Sequence, residues 1–203
     1  MIKCGIIGAG AWGSAISTLI GCDEIVIWSR NKKIVKSINQ KKVNSYLKGI
    51  KLPKNLYATN YMEDLKECDY FFIVTPTQFT RKILVNLKKY KIKKNFIICS
   101  KGIENKSCKL LSNIINEIFP KSKIAIMSGP SFAIEVGNKL PTAVLLASKE
   151  KSFLINIRKL INKKYFRLYF SSDLIGCQLG GAIKNIYAIG SGMLQGLNLG
   201  ENA

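Results

Sequence analysis

Apolar residues along this chain gather in short runs, and between the runs they recur every three or four positions. The first pattern suits a strand buried on both faces, the second an amphipathic helix. Residues 2–7 read as such a strand, ending in the turn Gly8-Ala9-Gly10-Ala11-Trp12-Gly13; a helix follows through Leu19, and residues 24–28 make a second strand. Strand, glycine turn, helix and strand within thirty residues is a βαβ unit with a right-handed crossover. The Lys-rich segment 31–57 predicts a helix and then a surface loop ending near Pro53. Further strands are predicted at 70–74, 96–99 and 123–127, with a helix over 109–119, and then at 142–147 and 166–170, the later ones with mixed direction.

The pattern changes near Ser171. Residues 173–197 carry no strand signal and read as one long helix or two, rich in Gly, Ala and Ile. The glycines at 176, 180, 181, 190, 192 and 196 would each weaken an isolated helix by roughly 1 kcal/mol relative to Ala, so this segment needs close packing. The fold class that follows is α/β: a Rossmann-type, doubly wound, mainly parallel sheet followed by the start of an all-α second domain. The first domain covers 1–172, and the beginning of the helical one covers 173–203.

Charge alters this picture most. Lys and Arg number 32 against 12 Asp and Glu, a net of +20. A nucleic-acid surface groups its basic residues, favours Arg and interleaves aromatics for stacking. Here 28 of the 32 are Lys, spread singly or in pairs among abundant Asn and Ile. That is the mark of a compositional bias, and no nucleic-acid partner is expected. The positive field would still draw in a phosphorylated ligand. Hydrophobic content of 47% and a mean hydropathy of +0.10 suit a packed chain. Six scattered cysteines without a C-x-x-C pair, and no histidine, predict no metal site and a reduced, cytoplasmic setting. Gly21-Cys22 after an apolar N-terminus resembles a lipoprotein cleavage site, but the stretch holds Gly5, Gly8, Gly10 and Gly13 and runs directly into a strand. No run is long and uncharged enough to span a bilayer.

Candidate chemistry sits where strands end. In Gly8-x-Gly10-x-x-Gly13 the first glycine permits a tight turn, the second lets backbone approach a pyrophosphate, and the third lets helix pack on strand. The helix start then offers free N–H groups to phosphates. At the end of the second strand, Trp28-Ser29-Arg30-Asn31 lacks the acid that binds an NAD ribose. Arg30 would suit a 2′-phosphate, which favours NADP(H) with NAD(H) possible, or it is a solvated surface cation. Phe79, after Val74-Thr75-Pro76, would lie against a nicotinamide or in a helix core. Lys101 in Ser100-Lys101-Gly102, and Gly129 and Ser131 in Ser128-Gly129-Pro130-Ser131-Phe132-Ala133, close two more strands and suit an anionic substrate. In Gly181-Ala182-Ile183-Lys184-Asn185 a lysine stands amid small apolar residues. Carbonyl reduction needs an acid, and a partly buried Lys184 near a second cation such as Lys101 would have its pKa lowered toward a useful range. Alternatively Lys184 snorkels to water.

Gly8 to Ala15, Ser100-Lys101-Gly102, Ser128 to Ala133, Pro141-Thr142-Ala143 and Gly181 to Asn185 together resemble the bacterial-type NAD(P)-dependent glycerol-3-phosphate dehydrogenases, in that family's order and approximate spacing. The resemblance implies interconversion of dihydroxyacetone phosphate and sn-glycerol 3-phosphate for phospholipid synthesis. It implies Lys184 as proton donor and acceptor, with Lys101, Gly129, Ser131 and Asn185 at the substrate. It implies Ala11, Trp12, Arg30 and Ala133 at the cofactor, with Lys101 near it, joining the turn glycines Gly8, Gly10 and Gly13 and Phe79 already read from the sequence. Members of the family continue past residue 203 into a helical domain and form homodimers, so the resemblance implies a truncated chain that binds NADPH weakly and turns over poorly. A related β-hydroxyacid or sugar-acid dehydrogenase, or a non-catalytic nucleotide- or RNA-binding remnant, is the alternative.

Overall fold

The computed structural model describes residues 1–200; the last residues of the expected helical domain, 201–203, lie outside the described residues. The chain alternates strand and helix: β1 (Lys3–Ile7), α1 (Ala11–Leu19), β2 (Glu24–Trp28), α2 (Lys32–Lys41), β3 (Leu56–Thr59), β4 (Tyr70–Ile73), α3 (Thr77–Leu87), β5 (Asn95–Ile98) and α4 (Leu111–Ile118). It continues through β6 (Lys123–Ser128), α5 (Ala133–Gly137), β7 (Thr142–Ala147), α6 (Lys151–Leu160), β8 (Phe166–Ser171) and α7 (Leu174–Gly196). The eight strands form one sheet in the order β3-β2-β1-β4-β5-β6-β7-β8. All neighbours are parallel except β6 and β7, which run antiparallel with Met127 opposite Leu146. That reversal supplies the mixed direction expected of the later strands.

Strands without a polar face are explained by cover on both sides. On β4, Phe72 packs into the layer with α1, α2 and α6, while Phe71 and Ile73 pack into the layer with α3 and α4. Successive side chains of a strand point to opposite faces, so one short apolar run serves both cores. β1 lies between β2 and β4, and there the strand order reverses. Such a switch point parts the two flanking loops and opens a crevice at the carboxyl ends of the strands.

Two sequence expectations are amended. The edge strand β3, which starts at the very end of the segment read as helix and loop, was not expected. The stretch after α2 is a largely exposed loop, as expected, but it is anchored: Leu47, Ile50 and Leu52 are buried, and so is Asn44. The Asn44 side-chain amide donates to the Ala9 carbonyl (3.0 Å) and the Ser14 hydroxyl (2.7 Å). These bonds satisfy a buried polar group and strap the segment to the glycine turn. Ile50 meanwhile fills the place a Gly137 side chain would take, 2.8 Å from that ideal Cβ.

The last helix, α7, is continuous. Its first turns lie on the sheet, with Cys177 and Gln178 buried, whereas Ile186, Tyr187, Ile189 and Met193 further along are exposed. Among the described residues no helix is long and apolar enough to cross a membrane.

Candidate active site

The glycine turn shows why each of its glycines is glycine. Gly8 has φ +120°, a conformation that L side chains rarely adopt, and its backbone lies against that of Val74. A Cβ on Gly13 would fall 2.0 Å from the Gly8 carbonyl oxygen, so α1 can pack on the turn only without one. Gly10 is different: an added Cβ would meet nothing within 4 Å. Gly10 is also the N-cap of α1, and no side chain caps that helix start. The first N–H groups of α1 therefore face open space over a backbone with no side chain in the way. That is the geometry of an anion cradle.

The open space is a cleft of about 700 Å³, within the range of small-molecule sites. Its walls are the carboxyl ends of five neighbouring strands. β1 brings the turn through Gly13, β2 brings Ser29 and Arg30, and β4 brings Val74 to Pro76. β5 brings Ser100 and Lys101, and β6 brings Ser128, Gly129 and Ser131. Among the described residues no Asp or Glu lines this cleft. Arg30 lies with its guanidinium 5.1 Å from the centre of the Phe79 ring, bridging β2 and α3 at the cleft wall. Phe79 is 47% exposed and is not a core residue.

Lys101 is held by its own backbone. Thr77, in the first turn of α3, donates to its carbonyl at 2.7 Å, and Gly102 turns the chain at φ +124°. Arg81 grips Glu104 of the same loop through Nε and Nη2 at 2.8 Å each. Part of Lys101 remains exposed, but its stem passes beside Gly181 of α7, where a Cβ would stand 3.5 Å from Cγ of Lys101 and 3.0 Å from the Ser128 hydroxyl. Burial lowers the Lys101 pKa from its ordinary value, and the charge of Lys184 lowers it further. Gly129 has no room for a side chain either, since a Cβ would lie 2.9 Å from Cα of Val144 on β7.

The sequence-derived residues thus fall into two groups. Gly8, Gly10, Ala11, Trp12, Gly13, Arg30, Phe79, Lys101, Gly129 and Ser131 all line the one cleft. Ala133, Lys184 and Asn185 do not. Ala133 begins α5 beside it. Lys184 is exposed on α7, its Nζ 5.8 Å from the Phe132 ring centre, and Asn185 is exposed next to it. The partial burial expected of Lys184 is therefore not found: the described residues cover one side of α7 only. Sequence reasoning missed Tyr46, which lines the cleft from the strapped segment, and Asn44, which holds that segment. Leu47, Ile50 and Leu52 in an otherwise polar stretch were the available signal.

A doubly wound sheet with a glycine turn at its switch point and a cleft above it defines a nucleotide-binding domain of the Rossmann class. Comparison with known proteins narrows this. Residues 3–154 match the family described as NAD-dependent glycerol-3-phosphate dehydrogenase N-terminus, and 173–203 match the corresponding C-terminus. A glycerol-3-phosphate dehydrogenase [NAD(P)+] of Erythrobacter litoralis is 38% identical over 98% of this chain and 60% of its own length. One from Zymomonas mobilis is 39% identical over 98% and 58%. The crystal structure of glycerol-3-phosphate dehydrogenase from Coxiella burnetii superposes with a TM-score of 0.88 at 31% identity, covering 99% of this chain and 63% of that one. The chain belongs to the NAD-dependent glycerol-3-phosphate dehydrogenase family. It spans about 60% of the length of the curated relatives it matches.

Proposed function

We propose that the cleft binds NAD(P)H, with NADP(H) favoured over NAD(H), and serves the interconversion of dihydroxyacetone phosphate and sn-glycerol 3-phosphate for glycerophospholipid synthesis. The observation that carries the reading is the contrast within the turn: Gly8 and Gly13 are crowded by backbone, while Gly10 opens onto empty space at an uncapped helix start. Residues 1–172 are the cofactor-binding domain in this reading, and 173–203 begin the substrate domain.

Gly8, Gly10 and Gly13, with the N–H groups of Ala11 and Trp12, hold the pyrophosphate. Arg30 pairs with a 2′-phosphate, since no carboxylate among the described residues lines the cleft to repel one. Phe79, Lys101 and Ala133 complete the cofactor site, and Gly129, Ser131, Asn185 and Lys101 take the phosphorylated substrate. When bound, the nicotinamide supplies the hydride for carbonyl reduction. Lys184 supplies the proton to the oxygen of that carbonyl and takes it back in the reverse direction. The setting is cytoplasmic, the whole protein pairs as a homodimer, and no nucleic acid takes part.

The test is a fluorescence titration with NADPH and NADH, joined to an assay of NADPH oxidation on adding dihydroxyacetone phosphate. Saturable binding with tighter NADPH is expected. In a chain completed with the further helical segment its relatives carry, Lys184→Ala should remove at least about a hundredfold of the rate and leave NADPH binding nearly intact. Absence of nucleotide binding overturns the cofactor reading, and an unchanged rate in the variant overturns the role of Lys184.

A further inference from the structure

We infer that Gln178 is a positioning residue for this site: from the first turns of α7 it caps the start of α4, and so fixes the helix that carries Lys184 against the loop that carries Lys101. The inference rests on the reading of those two lysines as substrate-site residues.

Helix α4 begins without a cap of its own. Its N-cap residue is Leu110, whose side chain has no acceptor to offer, although every helix start leaves N–H groups unpaired. Gln178, 66 residues away in sequence, supplies the missing acceptor: the Ser112 N–H donates to its Oε1 at 3.1 Å. Its Nε2 donates in turn to the Ser112 hydroxyl at 2.9 Å and to the Leu174 carbonyl at 3.0 Å. Oxygen and amide hydrogens of the side chain are all engaged. Gln178 is 7% and Ser112 6% exposed, so neither bond is shared with bulk water. An apolar side chain could fill this place, but it would leave α7 free to slide along α4. A buried amide with three directed bonds allows one register.

That register reaches the site along one stripe of α7. Gln178, Gly181 and Lys184 are spaced by three, each touching the next, so the ridge they form winds round the helix by about 60° at each step, from buried Gln178 to exposed Lys184. Gly181 is where the Lys101 stem and the Ser128 hydroxyl meet the helix, and Lys184 follows beside Phe132. A slip of one residue would move Lys184 by about 1.5 Å and rotate it by roughly 100°. On the other side of the bond, α4 is the direct continuation of the Lys101 loop. That loop is closed on itself by pairing of Ile103 with Leu110 and by the Glu104 N–H donating to the Lys109 carbonyl at 3.0 Å. Gln178 thus ties together the two segments that bring the lysines near one another.

The test reads Lys101 itself. Burial and the charge of Lys184 hold its pKa below the ordinary 10.5, and both depend on α7 lying in place. The pH midpoint of Lys101 acetylation, followed by mass spectrometry, is measured in the parent chain, in Gln178→Met and in Gln178→Glu. Met keeps the volume and removes the bonds; Glu keeps an acceptor for the Ser112 N–H. The midpoint should move up toward 10.5 in Gln178→Met and stay nearer the parent's position in Gln178→Glu. An unmoved midpoint in Gln178→Met overturns the inference, as does an equal shift in both variants. Amide exchange of Ser112 in the unaltered chain serves as a second measure, independent of any variant's folding: slow exchange supports the cap, and exchange at the rate of a free helix start overturns it. NADPH titration of the same samples tests the cofactor reading separately, because Gln178 lies outside the cleft lining.

Discussion

Gly10→Ala separates ligand binding from folding more cleanly than other substitutions in the cleft. The ideal Cβ would meet no atom within 4 Å, and the backbone at φ −77° and ψ −173° is open to any residue. Two small effects on stability then oppose each other. Alanine has less freedom than glycine in the unfolded chain, a gain of about 0.4–1 kcal/mol. Alanine is also a poorer N-cap than glycine, a loss of about 0.5–1 kcal/mol. The sum is close to zero, so the melting temperature should stay within about 2–4 °C of the parent. Nucleotide binding should not survive so well. A methyl group over the helix start holds a pyrophosphate off the backbone and removes at least one hydrogen bond to a charged group, about 1.5–3 kcal/mol. This is roughly a ten- to hundredfold loss in NADPH affinity. The assay is fluorescence titration beside a thermal melt. Parent-like NADPH affinity would refute the turn as a phosphate cradle, and a melt lowered by more than about 8 °C would refute the open space at Gly10.

Gly13→Ala should do the reverse: with its Cβ 2.0 Å from the Gly8 oxygen, α1 must lift off the turn at a cost of about 1–3 kcal/mol, and an unaltered melting curve would show that the contact is not tight. Arg30→Ala should weaken NADPH by about tenfold or more while sparing NADH, from the loss of one charge-assisted bond to a phosphate; equal losses for both nucleotides would remove Arg30 from the 2′-phosphate. Glu104 is held below its ordinary carboxyl value of 4.5, first by hydrogen bonds from Arg81 and then by Ser107. Its contribution to stability is therefore complete above that value and is lost as the pH falls through the lower, folded-state one. Melts taken from neutral pH downward should show a shallower acid limb for Glu104→Gln than for the parent, and parallel limbs would contradict this pairing.

What could be read directly from the chain was local. The turn from Gly8 to Gly13 declares itself because its spacing between a strand and a helix is itself the signal, although Gly8 meets its neighbour Val74 only in the fold. Lys101, Gly129 and Ser131 were legible for a related reason: each follows an apolar strand, and a parallel sheet brings all such ends to one edge. The parts that escaped depend on distant partners. Asn44 acquires its meaning from Ala9 and Ser14, 35 and 30 residues earlier, and without them the segment around it looks like any polar loop. β3 is an edge strand of four residues with Tyr57 exposed, too short and too polar in its flanks for a periodicity to stand out. Gln178 takes its role from Ser112, 66 residues earlier in the chain, and nothing in its own neighbourhood in sequence signals it. Lys184 was expected partly buried because its neighbours in sequence are apolar. Burial, however, is decided by what packs across the helix, and the described residues cover only one of its sides.

The strap held by Asn44 has a consequence for how this chain tolerates change. Segments without regular secondary structure are ordinarily where insertions, tags and graftings are accepted. Residues 42–55 would be chosen on that ground, being rich in Lys and outside every helix and strand. Yet Asn44 grips the turn before α1, Ile50 abuts Gly137 of α5, and Tyr46 faces the cleft. An insertion here would pull on the nucleotide turn directly. The permissive positions lie instead in segments such as 88–94, which join α3 to β5 on the far side of the sheet from the strap and contribute nothing to the cleft lining.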